Sequence, residues 1–238
     1  MTAAYQYPGD ELDLFAVATN WKYYFAKLLH PHLRGRVLEV GAGIGGTTHT
    51  LWNDSVASWT CLEPDPNLAA RLKSRVGHIE PTPDCIVGTI DDLQSSLRFD
   101  TILYIDVLEH IVDDQGELRS AARYLAPGGS LVVLSPAFQT LFSKFDVAVG
   151  HQRRYTSRSL ARVFPAELTK TAVFYADSLG TLLSLGNRIA TRQSKPKASQ
   201  LRLWDRVVIP LSRGIDPLFR RFLGRSVIAV YRRPPRKS

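Results

Sequence analysis

Cysteine is nearly missing from these 238 residues, with only Cys61 and Cys85 present. Both stand in apolar, strand-like stretches and read as buried free thiols of a reducing compartment, which argues against a disulfide framework or a cysteine metal site. Long hydrophobic runs are missing too. The longest uncharged stretch, 124–143, is interrupted by Pro127, Gly128, Gly129 and Pro136, a pattern unsuited to a membrane span. The opening residues "MTAAYQYPGDELDLF" lack a basic region followed by an apolar core, so no signal peptide is read and a cytoplasmic location is expected. Acidic residues are scarce in one place only. Residues 188–238 hold 14 Lys/Arg against Asp205 and Asp216, a net of +12, whereas residues 1–187 hold 16 Lys/Arg against 20 Asp/Glu, a net of −4. The overall charge of +8 is therefore a property of the C-terminal fifth.

Strand-like and helical patterns alternate from residue 36 to about 176, the rhythm of a parallel α/β sheet. Strands are expected at 36–40, 58–63, 85–88, 101–105, 130–135 and 169–175, with a last one at 226–231. Helices are expected at 45–52, 66–76, 114–125 and 157–163. Before the first strand, Leu14, Ala18, Trp21, Tyr24, Phe25, Leu28 and Leu29 recur at helical spacing, giving one or two helices that pack on the sheet or over a ligand. The chain reads as a single domain over 1–238. It comprises a helical cap (1–35), a ligand-binding core (36–176), a basic helical insertion (178–224) and a last strand with a basic tail (226–238). "RQSKPKASQ" (192–200) is a polar linker within the insertion.

"VLEVGAGIGGTT" (37–48) is a strand that breaks into glycines, as a sharp turn into a helix requires when the backbone must approach a ligand. Gly41, Gly43 and Gly46 fit the G-x-G-x-x-G of dinucleotide sites, while Glu39 with Gly41, Gly43 and Gly45 fits E-x-G-x-G-x-G. A carboxylate at Glu39 suits a cationic aminopropyl group and would repel a pyrophosphate. Glu63, ending the next strand in "TCLEPD", can accept hydrogen bonds from two ribose hydroxyls. "VGTIDDL" (87–93) places acidic side chains and backbone N–H groups where an adenine edge would lie, although Asp91 and Asp92 also suit a solvated helix start.

Together with "FDTILYIDVLEHIVDD" and "LAPGGSLVVLSP", these segments occur in the order and spacing of class I S-adenosylmethionine-dependent methyltransferases, which the chain resembles from about residue 36 to 176. The resemblance implies a Rossmann-like, doubly wound α/β sheet of seven strands, mostly parallel with an antiparallel last strand, and S-adenosylmethionine across the strand ends. It implies that Gly41, Gly43 and Gly45 line the methionine portion, that Glu63 holds the ribose, and that Ile90 and Asp91 meet the adenine. Ala42, Pro64, Thr89 and Asp106 complete the expected cofactor site. Thr89 is a departure, since many members of the family carry Asp there.

Methyl transfer to a hydroxyl needs a nearby base, commonly histidine. "DVLEHI" offers His110 at the end of the fourth strand and resembles the corresponding segment of ubiquinone-pathway O-methyltransferases. "FDVAVGHQRRYT" (145–156) offers His151, with Arg153, Arg154 and Tyr155 as expected contacts for an acidic or hydroxylated acceptor. In small-RNA 2′-O-methyltransferases and some ubiquinone-pathway enzymes, a Glu-x-x-Glu-His segment plus a later histidine holds a divalent metal. The matching residues here are Asp106, Glu109, His110 and His151, so a cation such as Mg²⁺ bound by Glu109, His110 and His151 is one expectation, with Asp106 a shorter arm than the family's Glu. A His110 that merely hydrogen-bonds within the fold is the other.

In "LRLWDRVVIPLSRGIDPLFRRFL", Trp204, Val208, Leu211, Ile215, Leu218 and Phe222 fall on one helical face, among Arg202, Arg206, Arg213, Arg220 and Arg221. Pro210, Gly214 and Pro217 would kink or break the helix. The segment is a cap packed on the sheet or the active site, or a surface that meets anionic lipid or a lipid-linked acceptor. No aromatic-interleaved platform or RNA-binding module is present, which argues against nucleic acid. The function these readings converge on is methyl transfer to an oxygen of a small or lipid-linked acceptor. An NAD(P)-dependent oxidoreductase and a non-catalytic cofactor-binding scaffold stand as alternatives.

Overall fold

A strand buried on both faces must be largely apolar, and the sequence supplies such runs in β1 (Gly35–Val40), β4 (Phe99–Ile105), β5 (Leu125–Pro136) and β7 (Ser226–Arg232). In a computed structural model describing residues 5–9, 11–190, 198–219 and 222–235, these join β2 (Val56–Glu63), β3 (Asp84–Val87) and β6 (Thr169–Ala176) in one sheet of order β3-β2-β1-β4-β5-β7-β6. The pairs from β3 across to β5 are parallel, and β7 runs antiparallel between β5 and β6. This is the seven-stranded, mostly parallel architecture expected, with its antiparallel last strand in the interior of the sheet rather than at its edge.

Side chains alternate between two apolar layers. Val37, Cys61, Leu103, Val132 and Ile228 face α2 (Thr19–Leu29), α3 (Thr48–Leu51), α4 (Pro66–Val76) and the C-terminal helices. Leu38, Leu62, Ile102, Val133 and Val227 face α5 (Asp114–Arg123) and α7 (Ser157–Val163). The strand order reverses between β1 and β4, whose carboxyl ends therefore flank the crevice where such sheets bind ligands.

Most boundaries fall within two residues of expectation, and three shifts have a clear cause. The helix after the glycine loop covers only Thr48–Leu51, because Gly45 adopts a left-handed φ of +72° and extends the turn. The fifth strand starts at Leu125, five residues early: Pro127-Gly128-Gly129 is an irregularity within the ladder, with a register shift against β4 and φ +75° at Gly128. The helix before it accordingly ends at Arg123.

The N-terminal residues form α1 (Glu11–Ala16) and α2, the short α6 (Lys144–Ala148) lies in the loop after β5, and the insertion forms α8 (Ser178–Ala190), α9 (Ala198–Leu203) and α10 (Ile209–Phe219). Residues 191–197, most of the expected linker, lie outside the described residues, as do Arg220, Arg221 and the end of the basic tail. Pro210 and Pro217 do not split the segment. A π-helical turn, Trp204–Val208, joins α9 to α10 just ahead of Pro210, whose missing N–H such a turn accommodates.

The expected apolar stripe of this segment is only half buried. Trp204 and Val208 point inward, whereas Leu211, Leu218 and Phe222 are exposed. The inward face is instead Leu201, Asp205, Ile209, Ser212 and Asp216, turned there by hydrogen bonds. Asp205 accepts from Asn20 N and Nδ2 and from Trp21 N, capping an α2 that has no side-chain cap of its own. Asp216 accepts from Asp177 N, Ser178 N and Tyr24 Oη, closing the N-terminus of α8. Ser212 Oγ and Trp204 Nε1 both donate to Asp177, which has φ +64°. Both acidic residues of the basic fifth are thus buried, locking the insertion to the N-terminal helix.

Candidate active site

A cavity of about 500 Å³ opens at the carboxyl ends of β1, β2 and β4. Its floor is the glycine loop. Gly41, Gly43 and Gly45 all have left-handed φ, at +67°, +57° and +72°, and Gly46 does not. The backbone therefore follows the E-x-G-x-G-x-G spacing. A Cβ on Gly41 would lie 2.6 Å from Val107 Cγ2, and one on Gly45 would lie 2.9 Å from both Leu72 Cδ1 and Val76 Cγ1.

Two carboxylates organise this loop. Glu63 lines the cavity and accepts from Gly43 N at 2.8 Å and Asp65 N at 3.0 Å, tying the loop to the end of β2. Burial raises its pKa against those hydrogen bonds. Glu39 is placed differently from expectation. It is buried beneath the loop and does not line the cavity, because Thr47 Oγ1, Thr48 Oγ1 (2.7 Å) and Trp59 Nε1 (3.0 Å) donate to it there. Burial likewise raises its pKa. Glu39 reaches the cavity through Thr47, which does line it.

Ala42, Pro64, Thr89, Ile90 and Asp106 line the same cavity. Asp91 does not: its exposed side chain points to Arg123, 3.8 Å away, while Asp92 is consumed in a capping box with Thr89. Lys22 of α2 lies at the cavity wall, with Nζ 3.1 Å from where a Cβ on Gly46 would stand. Its pKa is lowered, chiefly by burial and then by Arg75. The wall is completed by Tyr5, Tyr7, Leu12 and Phe15, held across the opening in part by Tyr7 N donating to Asp65 Oδ2 at 2.8 Å.

A second compartment of about 180 Å³ adjoins the first, sharing Tyr7, Phe15, Trp21, Asp106 and His110 with it. Asp106 caps the end of β4 with φ +52°, a strained conformation that aspartate tolerates better than most residues. Burial raises its pKa to about 6, opposed by the charges of His151, Arg225 and Arg154. Glu109 is fully buried; Ser135 Oγ donates to its Oε2 at 2.9 Å, and Oε1 has no hydrogen-bond partner among the described residues. Burial, followed by the Asp106 charge, raises its pKa well above the usual carboxylate range. His110 packs edge-on against His151 with ring centroids 4.6 Å apart, and burial and the His151 charge lower its pKa to about 4.

His151 Nδ1 lies 2.8 Å from Asp146 Oδ1, and Nε2 lies 3.9 Å from Glu109 Oε1. Arg154 clamps Asp146 with Nε at 2.7 Å and Nη2 at 3.0 Å, and Ser143 donates to Asp146 through both N and Oγ. Against the penalty of burial, these donors hold the Asp146 carboxyl well below its ordinary value. An ionised Asp146 only accepts, so in the neutral imidazole the His151 proton sits on Nδ1 and the Nε2 lone pair faces the compartment.

The three expected acceptor contacts separate. Arg154 lines the compartment but is engaged by Asp146. Arg153 and Tyr155 line neither cavity: both bind Asp114, at 2.7 Å each, and Arg153 Nη2 also donates to Val112 O. They brace the loop that carries His151. Sequence reasoning missed Arg225, which lines the compartment with its guanidinium 4.7 Å from the centroid of Trp204.

Glu109, His110 and His151 offer ligand atoms within 4.8 Å of one another, and Glu109 Oε1 is the kind of unpartnered buried oxygen that a cation would satisfy. The donor set of one carboxylate and two imidazoles fits a divalent ion. Asp106 stands outside this set.

The chain matches the methyltransferase-domain family over residues 16–167. It is 32% identical over 120 residues to a demethylmenaquinone methyltransferase of Tropheryma whipplei, covering 50% of this chain and 49% of that protein. It is 34% identical over 100 residues to a ubiquinone biosynthesis O-methyltransferase of Xanthomonas euvesicatoria, covering 40% and 41%. The chain thus spans half or less of the length of the curated relatives it matches. Its fold superposes with TM-score 0.58 on the N-methyltransferase NodS of Bradyrhizobium japonicum solved with S-adenosyl-L-homocysteine, at 15% identity over 92% of this chain and 88% of that one. A glycine loop with the E-x-G-x-G-x-G backbone, a carboxylate ending β2 and a family match spanning β1 to β5 carry one conclusion: the chain belongs to the class I S-adenosylmethionine-dependent methyltransferases.

Proposed function

We propose that this protein methylates an oxygen of a small-molecule or lipid-linked acceptor that carries a hydroxyl or acidic group, bound in the compartment beside the cofactor cavity. The observation that carries this reading is the Asp146–His151 pair, whose Nε2 is left as a base at that compartment. The cofactor cavity would hold S-adenosylmethionine, whose activated sulfonium methyl group would pass to the acceptor oxygen with release of S-adenosylhomocysteine. His151 Nε2 takes the hydroxyl proton while Asp146 orients and stabilises the resulting imidazolium. Phe15, Trp21, Phe145 and Trp204 give the acceptor an apolar bed, and Arg225 faces any acidic group it bears. One of the two curated relatives is by name an O-methyltransferase of ubiquinone biosynthesis, which supports the oxygen assignment.

The unpartnered Glu109 Oε1 favours a second reading of the same site, in which Glu109, His110 and His151 hold a divalent cation; two imidazoles and a carboxylate suit a transition-metal ion better than the Mg²⁺ expected from the sequence. The cation would lower the pKa of the acceptor hydroxyl. A panel of phenolic, alcoholic, carboxylic and amine acceptors, assayed by mass spectrometry for methylated product with and without chelator, tests both. O-methyl products are expected. Activity that survives chelation removes the cation, products methylated only on nitrogen or carbon overturn the oxygen assignment, and no product on any acceptor favours a non-catalytic scaffold.

A further inference from the structure

The family match ends at residue 167, so it does not account for the surface of the segment that carries most of the positive charge. From Ala198 to Phe219 this segment has a buried face, Leu201, Asp205, Ile209, Ser212 and Asp216, and two exposed stripes. Leu203, Val207, Leu211 and Leu218, spaced four, four and seven residues apart, stand on one side of the helix, each between 47% and 77% exposed. Arg202, Arg206 and Arg213, spaced four and seven apart, form the neighbouring stripe and are also exposed. Leu182, Leu183 and Leu185 of α8, which packs beside α10, add exposed apolar surface, as does Phe222 just beyond α10.

Exposed leucines in this number, contiguous on one helix, cost solubility unless something covers them. A protein partner could be of either charge, but the flanking groups here are of one sign. Both acidic residues of the segment are turned inward as helix caps, so the outer face presents arginine alone beside the leucines. An apolar stripe bordered by arginine matches the boundary between acyl chains and anionic headgroups. We infer that this face docks on an anionic lipid bilayer. The assignment goes beyond methyl transfer and does not depend on it. It also has a geometric consequence: Trp204, on the inner side of the same segment, walls the acceptor compartment, so docking would bring that compartment next to the membrane.

Vesicle co-sedimentation of the full chain tests it, using phosphatidylcholine alone and phosphatidylcholine mixed with phosphatidylglycerol. Binding to the mixed vesicles is expected, with little to phosphatidylcholine alone. The triple variant Arg202→Gln/Arg206→Gln/Arg213→Gln should bind the mixed vesicles on the order of a hundredfold more weakly. Leu211→Ser/Leu218→Ser should weaken binding about tenfold or more. Both variants should keep wild-type thermal stability and S-adenosylhomocysteine affinity, since none of these side chains is buried. Failure to bind the mixed vesicles overturns the inference, as does a chain that self-associates through this face and ignores lipid. Binding that the leucine variant leaves unchanged also overturns it, because the contact would then be charge alone. S-adenosylhomocysteine affinity and methyl transfer are read separately, so their loss in the wild type would strike the methyltransferase reading and leave this one standing.

Discussion

Lys22 and Asp146 show how far single residues can escape a motif. Lys22 lies on a helix about twenty residues before the glycine loop, where its spacing marks it only as a polar position on an amphipathic helix. Folding brings it to the wall beside Gly46, where its charge can meet an anionic end of the cofactor. Lys22→Met should weaken S-adenosylhomocysteine binding about tenfold by calorimetry, the scale of one charge-assisted hydrogen bond. Asp146 sits in "FDVAVGHQRRYT" as one more acidic residue, yet it fixes both His151 and Arg154. Asp146→Asn should lower kcat by about 10²-fold or more while the affinity for S-adenosylhomocysteine changes little, because an amide can pair with either ring tautomer. Equal losses in both would make Asp146 a general support of the fold. His110 and His151 were legible as candidates because few histidines fall after strands. That Asp146 orients His151 was not, since the pairing depends on a loop closing over five residues.

At the scale of elements, the parallel strands were the most legible part, because burial on both faces demands continuous apolar runs that no helix of a small domain shares. The glycine loop left two spacings open, and the backbone decides between them. Gly45→Ala would combine a left-handed φ with crowding against Leu72 and Val76, and should destabilise the protein by about 1–3 kcal/mol in denaturant unfolding. The C-terminal helix was misread for a different reason. Periodicity counts apolar residues, whereas the inward face of α10 was set by Asp205 and Asp216 satisfying unpaired N–H groups of α2 and α8. An uncapped buried helix terminus outweighs two leucines left in solvent. Asp205→Ala should therefore cost about 1–2 kcal/mol, whereas Leu211→Ser on the outer face should cost almost nothing. If the two substitutions destabilise equally, the inner face is wrongly assigned.

The whole molecule divides its labour by position along the chain. Residues 35–136 build five of the seven strands and the cofactor floor, the N-terminal segment and the insertion roof the site, and the loop after β5 supplies the candidate base. Sequence patterns describe the first of these well because sheet and glycine turn obey local rules. They describe the roof poorly, because remote hydrogen bonds between residues nearly 200 positions apart assemble it. No helix among the described residues is long and apolar enough to cross a membrane. The measurement that bears most directly on the account is turnover of labelled methyl from S-adenosylmethionine to a hydroxylated acceptor by wild type and His151→Ala, each with its S-adenosylhomocysteine affinity. In His151→Ala kcat should fall about 10²–10⁴-fold, with affinity for S-adenosylhomocysteine within about twofold of wild type. Undiminished turnover in His151→Ala would contradict it.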